Sequence, residues 1–219
     1  MISSLDPQRD LQPVAPLVTG AMVLAAHPSF PARSLQEMIS AAKAGPRKLF
    51  VAMPQAGSPP HVVALLLNRA SAIDVTMVAH KSGTDAIVAV LGGQIPLVID
   101  APTIIAPHVK AGRLKALVVT GREREPELPD IPTAIESGLG GVEGEAWIGI
   151  VAPSGTPLAI VNRLNRAFAR VMEEPETKKI MATMSFRTIT ASPEDFGRMI
   201  RDDHAKWGPI IRSAGLRID

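Results

Sequence analysis

Short apolar runs rich in β-branched residues alternate along the chain with longer amphipathic segments. This alternation is typical of βαβ units built around a mostly parallel sheet, and it predicts an α/β fold. The predicted strands lie near residues 14–18, 22–26, 49–53, 75–79, 96–100, 114–119 and 147–152.

Helix starts are marked by Ser or Thr residues that precede a carboxylate by three positions. In this spacing the hydroxyl and the carboxylate can each satisfy a free backbone N–H at the first turn. Proline marks further starts, because its missing N–H costs nothing there. The hydroxyl–carboxylate pairs are Ser34 with Glu37, Thr133 with Glu136 and Ser192 with Asp195, and the prolines are Pro59, Pro157 and Pro193.

Two C-terminal segments show the clearest helical period of apolar residues. Such stripes on amphipathic helices predict faces that pack into a core. The first stripe contains Leu158, Val161, Leu164, Phe168, Val171 and Met172, and the second contains Phe196, Met199, Ile200, Trp207, Ile210 and Ile211.

Composition narrows the classes of partner. The net charge is +2 with basic residues scattered along the chain, aromatic residues make up 3% and tyrosine is absent, so a nucleic-acid partner is not expected. Cysteine is absent, which excludes disulfides and thiolate nucleophiles, and no cofactor or metal is expected. No apolar run approaches the roughly 18 residues of a membrane span, and the residues after Met1 predict no signal peptide in this chain.

Several stretches resemble, in order, the motifs of Bug-type receptors of tripartite tricarboxylate transporters. The first, Leu5 to Ala15, is similar to the family's "Y-D-P-x-K-D-F-x-P-V". The others are Pro31 to Glu37, Ala56 to His61, Ala79 to Ala86 with Leu91 to Gln94, Ala111 to Thr120, Leu128 to Thr133 with Glu136 to Gly138, and Ala152 to Pro157 with Trp147. Seven ordered matches over nearly the whole chain make coincidence a poor explanation.

The resemblance implies a two-lobe, periplasmic-binding-protein-like architecture of type II. Residues 27–113 are expected to form one lobe, and residues 1–26 with 114–219 the other. Complete receptors carry about one further α/β segment before the first motif, so we expect this chain to lack it, to have one lobe incomplete at its N-terminus and to bind ligand weakly or not at all. An incomplete lobe leaves an open sheet edge, which predicts a homodimer or a domain-swapped assembly.

The resemblance also implies a function. We expect a periplasmic receptor that binds small organic carboxylates between its lobes and delivers them to a membrane permease of the tripartite tricarboxylate type. It is not expected to be an enzyme. Two departures from the family pattern bear on ligand preference, since His80 stands where a tyrosine is usual and Pro54-Gln55 stand where a smaller pair is common.

Two loops have the composition of anion-binding turns. Backbone N–H groups at helix N-termini carry partial positive charge, and ligands of open α/β sheets bind beyond the carboxyl ends of strands. Both loops join a predicted strand to a predicted helix at that edge. The alternative is that they are ordinary helix caps, which have the same composition. The candidate residues are Ala56, Gly57 and Ser58 in the first loop, and Ser82, Gly83 and Thr84 in the second.

Three further side chains are candidates for contact with the ligand. Asp100 ends an apolar strand, where it is either the N-cap of the next helix or an acceptor for a ligand hydroxyl or amine. His80 is either a hydrogen-bond donor to an anion or a satisfied, half-buried histidine. Trp147 either forms a wall of the cleft or belongs to the core.

Two other functions remain open from the residues alone. One is a ligand-sensing effector module of a regulator, which shares the two-lobe logic. The other is an uncharacterised α/β enzyme that uses an Asp100–His80 pair. The sequence contains no nucleophile elbow, zincin motif or Walker-type phosphate loop, which disfavours an enzyme.

Overall fold

The chain folds into two compact units in a computed structural model that describes residues 6–45 and 48–215. The first unit contains the residues up to Gly20 and those from Ala146 onward, and the second unit is Ala21–Glu145. The predicted lobes were divided at residues 27 and 113 instead. The second unit covers more of the sequence because the strand just before residue 27 and the strand just after residue 113 both pair within its sheet.

The second unit is built on a five-stranded sheet with the order β4-β3-β5-β2-β6. β3 runs parallel to β4 and to β5, whereas β2 runs antiparallel to β5 and β6, so the mostly parallel sheet contains one reversed strand. The predicted α/β fold is confirmed. The strands are β2 Val23–Ala26, β3 Leu49–Met53, β4 Val75–Ala79, β5 Leu97–Asp100 and β6 Lys115–Val119.

Four helices connect these strands, and their apolar faces cover the sheet. The central strand residues Ala25 and Val98 pack with Ile87, Val90 and Ile105 in a fully buried cluster. This packing holds the carboxyl ends of β3, β4 and β5 at one edge. The helices are α2 Leu35–Ala44, α3 Pro59–Ser71, α4 Gly83–Leu91 and α5 Pro102–Lys110.

The two ends of the second unit are joined by hydrogen bonds to Thr120, which is completely buried. The N–H of Met22 donates to the Thr120 hydroxyl at 2.9 Å, and the N–H of Thr120 donates to the Met22 carbonyl at 2.9 Å. The Thr120 hydroxyl also contacts the Gly144 carbonyl at 2.6 Å, and the N–H of Gly144 donates to the Thr120 carbonyl at 2.9 Å. The chain therefore enters and leaves this unit at the same place.

The first unit has a three-stranded sheet with the order β7-β1-β8, in which β1 and β8 are antiparallel. Its core contains Val14, Ala15, Val161 and the fully buried ring of Phe196. β8 and α7 were not predicted. The elements are α1 Pro7–Asp10, β1 Leu11–Ala21, β7 Glu145–Pro153, α6 Leu158–Glu173, α7 Pro175–Thr183, β8 Arg187–Thr188 and α8 Pro193–Ser213.

The predicted core stripe of α6 is only partly buried. Val161 and Met172 lie in the core, but Leu158 is 73% exposed, and Leu164 and Val171 are exposed as well. The prediction is wrong for these three residues, because the apolar arc of α6 is wider than the surface that the described part of the unit offers it. The stripe of α8 is buried at Phe196 and Ile210 and half-buried elsewhere.

The predicted helix starts are mostly confirmed. Ser34 and Ser192 cap α2 and α8 with their hydroxyls, whereas Pro157 is the N-cap of α6 and not its first residue. Thr133 and Glu136 form the reciprocal bonds expected of a capping box, at 2.8 and 3.1 Å, yet they open a turn and not a regular helix. No helix among residues 6–45 and 48–215 has the length and apolarity needed to cross a membrane.

Candidate functional site

The two predicted loops lie side by side at the carboxyl edge of the second unit's sheet. The first, the β3–α3 loop, is residues 54–58, and the second, the β4–α4 loop, is residues 80–82. The N–H of His80 donates to the Met53 carbonyl at 2.9 Å, and the Gln55 side-chain amide reaches the Lys81 carbonyl at 3.4 Å. The parallel pairing of β3 with β4 and β5 brings the loops and Asp100 to one edge, as expected.

Two backbone donors of the β3–α3 loop are already engaged. The N–H of Gly57 donates to Nδ1 of His61 at 2.9 Å, and the N–H of Ser58 donates to the Gln55 carbonyl at 3.1 Å. α3 then begins with Pro59 and Pro60, which have no N–H to offer. The predicted use of the Gly57 and Ser58 amides as anion donors is therefore not supported by their geometry.

The group that this loop still offers is the Ser58 hydroxyl. Ser58 is the N-cap of α3, but its side chain makes no cap bond. Its Oγ is buried and has no hydrogen-bond partner in the structure. A buried hydroxyl without a partner is costly, which makes Ser58 a candidate for contact with a ligand or water.

His61 holds the shape of this loop, and the sequence analysis missed it. The side chain is only 6% exposed, and burial lowers the pKa of its imidazole. Because Nδ1 accepts the bond from Gly57, the ring proton of the neutral imidazole lies on Nε2. The signal available in the sequence was the histidine three residues after the N-cap Ser58, where a glutamate or glutamine commonly reaches back to the chain.

The N-terminus of α4 retains free donors. Ser82 is the N-cap, its Oγ accepts from the N–H of Asp85 at 3.1 Å, and its carbonyl accepts from the N–H of Ala86 at 3.1 Å. Gly83 and Thr84 are the first two residues of the helix, so their N–H groups have no acceptor within it. Together with the helix dipole, these two amides form a site that suits a carboxylate.

Asp100 is buried at the same edge and is 6% exposed. Its Oδ1 accepts from the N–H of Ala101 at 2.7 Å, while its Oδ2 is buried with no partner. Burial raises the pKa of the Asp100 carboxyl above its ordinary range. Ala101, not Asp100, is the N-cap of α5, so the interpretation of Asp100 as a helix cap is wrong.

Gly83 and Asp100 are in direct contact. A Cβ atom at Gly83 would lie 2.0 Å from Oδ2 of Asp100 and 3.1 Å from its Cγ. The carboxylate thus fills the space that a side chain at the first residue of α4 would need. This contact places the unpartnered oxygen at the N-terminus of α4.

His80 is half-buried and bonds through Nδ1 to the Val78 carbonyl at 3.0 Å. Since a carbonyl only accepts, Nδ1 carries the proton, and a neutral His80 presents Nε2 as an acceptor. The unpartnered Oδ2 and the Ala101 bond of Oδ1 leave no hydrogen bond between Asp100 and His80. The pair on which the enzyme hypothesis depended is therefore not formed in this structure.

Trp147 lies in the first unit, at β7. Its indole Nε1 donates to the carboxylate of Asp203, and its ring packs edge-on against Phe196 with centroids 5.2 Å apart and planes at 85°. These contacts suit the core interpretation. Its part in a ligand cleft stays a prediction. Within residues 6–45 and 48–215, no three His, Asp or Glu side chains cluster as a metal site would require.

Comparison with known proteins gives a consistent result. The family model described as "Tripartite tricarboxylate transporter family receptor" matches residues 3–216. Protein BugT of Bordetella pertussis is 26% identical over 209 residues, which are 95% of this chain and 64% of BugT. The UPF0065 protein in the tcbD-tcbE intergenic region of Pseudomonas sp. strain P51 is 28% identical over 93% of this chain and 61% of that protein. This chain thus spans about six-tenths of the length of these relatives.

Solved structures give the same architecture. Rpa4515 of R. palustris, solved with adipate, has a TM-score of 0.80 and 29% identity over 96% of this chain and 71% of that chain. MatC from Rhodopseudomonas palustris, solved with bound malate, has a TM-score of 0.78 and 30% identity over 96% and 73% of the two chains. The periplasmic binding protein BugD has a TM-score of 0.77 and 26% identity over 97% and 72%. The expected fold of the periplasmic-binding-protein kind is confirmed.

Proposed function

This chain belongs to the tripartite tricarboxylate transporter family of solute-binding receptors, and from that premise we propose that it binds small organic carboxylates at the N-terminus of α4. The ligand is then passed to a membrane permease of the tripartite tricarboxylate type. The protein acts in the periplasm and catalyses no reaction. Two related proteins that were solved with adipate and with malate support the ligand class.

The observation that carries the proposal is the pair of first-turn amides of Gly83 and Thr84. As the first two residues of α4, Gly83 and Thr84 have no acceptor for these amides within the helix. A carboxylate oxygen that accepts from either amide forms a charge-assisted bond and is further stabilised by the helix dipole. The nearby Ser58 hydroxyl, which has no partner, supports a second polar contact at the same edge.

The binding geometry that we propose differs from the one expected from the sequence. The expected cradle used amides from both loops, but those of Gly57 and Ser58 are bonded internally. We therefore assign the anion to the N-terminus of α4. From the β3–α3 loop we propose a ligand contact by the Ser58 hydroxyl. Which carboxylate binds depends on the distance between its two charged ends and on the groups between them. We expect His80 and Asp100 to be the side chains that influence this choice.

An NMR titration tests the proposal directly. With malate or adipate at millimolar concentration, the amide resonances of Gly83 and Thr84 should shift more than those of Gly57 and Ser58. The neutral diamide of adipic acid is the control ligand and should leave all four in place. Equal shifts with the diamide, or shifts that avoid α4 altogether, would contradict the proposal.

A backbone substitution adds a quantitative test. Thr84→Pro removes the N–H of the second residue of α4. Helices tolerate proline at this position, and Pro60 occupies it in α3. The loss of one hydrogen bond to a charged group should weaken malate binding by about tenfold or more. Thr84→Ala keeps the N–H and is the matched control, so it should bind as the unchanged protein does.

A further inference from the structure

We propose that this site takes up one proton with its carboxylate ligand and that Asp100 holds that proton. The inference deepens the proposed function and depends on it, since it concerns the same ligand at the same helix terminus. It follows from where the unpartnered oxygen of Asp100 lies relative to the two free amides of α4.

Asp100 has no compensating positive partner among the described residues. Oδ1 accepts from the N–H of Ala101, whereas Oδ2 has no partner, and Asp100 is only 6% exposed. A carboxylate that is removed from water without a partner is strongly disfavoured in its charged form.

The groups on the surrounding elements do not supply the missing charge. β2, β3 and β4 contain no titratable side chain. On α3 the group in the first turn is His61, whose Nδ1 is occupied by Gly57, and on α4 it is Asp85, which is itself acidic and bonded to Ser82. In the β4–α4 loop Lys81 is exposed and His80 is bonded to a carbonyl, and the basic residues of α5 lie in its last turn.

The contact with Gly83 places this buried acid next to the proposed ligand. Oδ2 occupies the position of a Gly83 side chain, so a carboxylate bound to the Gly83 or Thr84 amide comes within about 6 Å of it. The repulsion between two like charges at that distance lowers the affinity for the ligand by a factor on the order of a hundred. The two anions therefore compete for the same helix terminus unless one of them is neutral.

A proton on Asp100 removes the conflict. The neutral acid no longer repels the ligand. The ligand's own charge makes the charged form of Asp100 still less favourable, so that binding and protonation support each other. Burial already raises the pKa of Asp100 in the free protein, which is consistent with the inference.

The expected signature is a link between pH and affinity. Below the pKa of Asp100 in the free protein, malate affinity should change only as far as the ligand's own protonation requires. Above it, the affinity should fall by about tenfold per pH unit until the repulsion is fully expressed, at a total loss on the order of a hundredfold. Each binding event in this range should remove up to one proton from the buffer.

Isothermal titration calorimetry with malate and with adipate, at several pH values and in two buffers of different ionisation enthalpy, tests the inference. The unchanged protein should show buffer-dependent heats and an affinity that falls as pH rises. Asp100→Asn keeps the shape and removes the charge, so its affinity should follow pH no further than the ligand's own protonation requires. Asp74→Asn, which removes an exposed acid at the opposite edge of the sheet, should behave as the unchanged protein does.

The outcomes separate the two proposals. Binding with heats that do not depend on the buffer, and with the same pH dependence in Asp100→Asn, would overturn the proton uptake alone. If neither dicarboxylate binds at any pH, the proposed function fails and this inference fails with it. Should Asp100→Asn not fold, the buffer dependence of the unchanged protein decides the matter.

Discussion

The contact between Gly83 and Asp100 is the tightest constraint on any single residue of the candidate site. Gly83 begins a helix with an ordinary backbone conformation, so a turn does not explain why glycine stands there. The carboxylate of Asp100 explains it, because it occupies the place of a Cβ. The two residues are therefore energetically coupled, and each constrains what the other position accepts.

Gly83→Ala should destabilise the protein by about 1–3 kcal/mol, as overpacking in a buried place usually does. The double variant Gly83→Ala with Asp100→Ala should recover most of this loss, because the overlapping oxygens are gone. Urea unfolding of the single variants Gly83→Ala and Asp100→Ala and of the double variant measures the coupling. Gly140→Ala, at a glycine with open space around it and no positive φ, is the matched control and should cost little. Purely additive effects would contradict the coupling.

The buried charge of Asp100 should also be visible in the pH dependence of stability. Burial raises its pKa in the folded state, so its contribution is complete below the ordinary value near 3.8 and is lost as pH rises through the folded-state pKa. Asp100→Asn should therefore raise the melting temperature at pH 7 and have less effect near pH 4. Thermal scans at the two pH values check this, and a variant that is less stable at pH 7 would argue against a desolvated charge.

At the scale of elements, the N-termini of α3 and α4 are built in opposite ways. α3 begins with two prolines and has its preceding amides bonded to His61 and Gln55, so it offers few donors. α4 is capped by a serine and leaves two amides free. Both helices follow parallel strands at the same edge, and the two free amides are the reason we place the proposed anion at α4.

His61→Ala should destabilise the β3–α3 loop by about 1–3 kcal/mol, because the Gly57 N–H loses its acceptor and a buried side chain is lost. His108→Ala is the control, since the Nδ1 of His108 has no partner to lose. Burial lowers the pKa of His61, so its contribution is complete above pH 6.5 and declines as pH falls below that value. Chemical denaturation at pH 8 and pH 5 should show a smaller difference between variant and unchanged protein at pH 5.

Strands of the second unit were predictable because each is a short apolar run bounded by turn residues. β3 and β4 match the predicted residues 49–53 and 75–79. The reversed direction of β2 was not predictable, since an apolar run carries no sign of strand direction. β8 was missed because two residues are too few to form a pattern.

The candidate loops were found because strand-to-helix turns with Ser and Gly are recognisable, and the comparisons then confirmed the family. What escaped the sequence was which donors are already used. That depends on His61 bonding to Gly57 and on the unpartnered oxygen of Asp100, and both are tertiary facts. Periodicity likewise showed that α6 is amphipathic but not how much of its wide apolar arc would be covered.

At the scale of the whole molecule, most of the exposed large apolar side chains among the described residues lie in the first unit. Leu158, Ile160, Leu164 and Val171 of α6 are exposed, and so is Ile148 of β7, which lies at an edge of its sheet. Exposed apolar surface beside an open strand commonly marks an association surface. The predicted homodimer or domain-swapped assembly stays a prediction, and α6 is where we place its contact.

Multi-angle light scattering at several protein concentrations should therefore report a dimer. Leu164→Glu puts a charge on the exposed apolar face of α6 and should shift the protein toward monomer with little loss of thermal stability. Arg163→Glu changes the neighbouring charged position and should leave the assembly unchanged. A monomer at all concentrations, or equal behaviour of the two variants, would count against an interface on α6.

Thr120 has a consequence for how the gene can be rearranged. Its hydroxyl and its backbone tie Met22 to Gly144, so residues 21–145 begin and end at adjacent points. A segment with neighbouring termini can be deleted and the residues on either side joined directly. Alternatively, its own termini can be joined by a short linker and new termini opened elsewhere in the segment. The smaller protein made in this way would carry Ser58, Gly83, Thr84 and Asp100 on residues 21–145 alone.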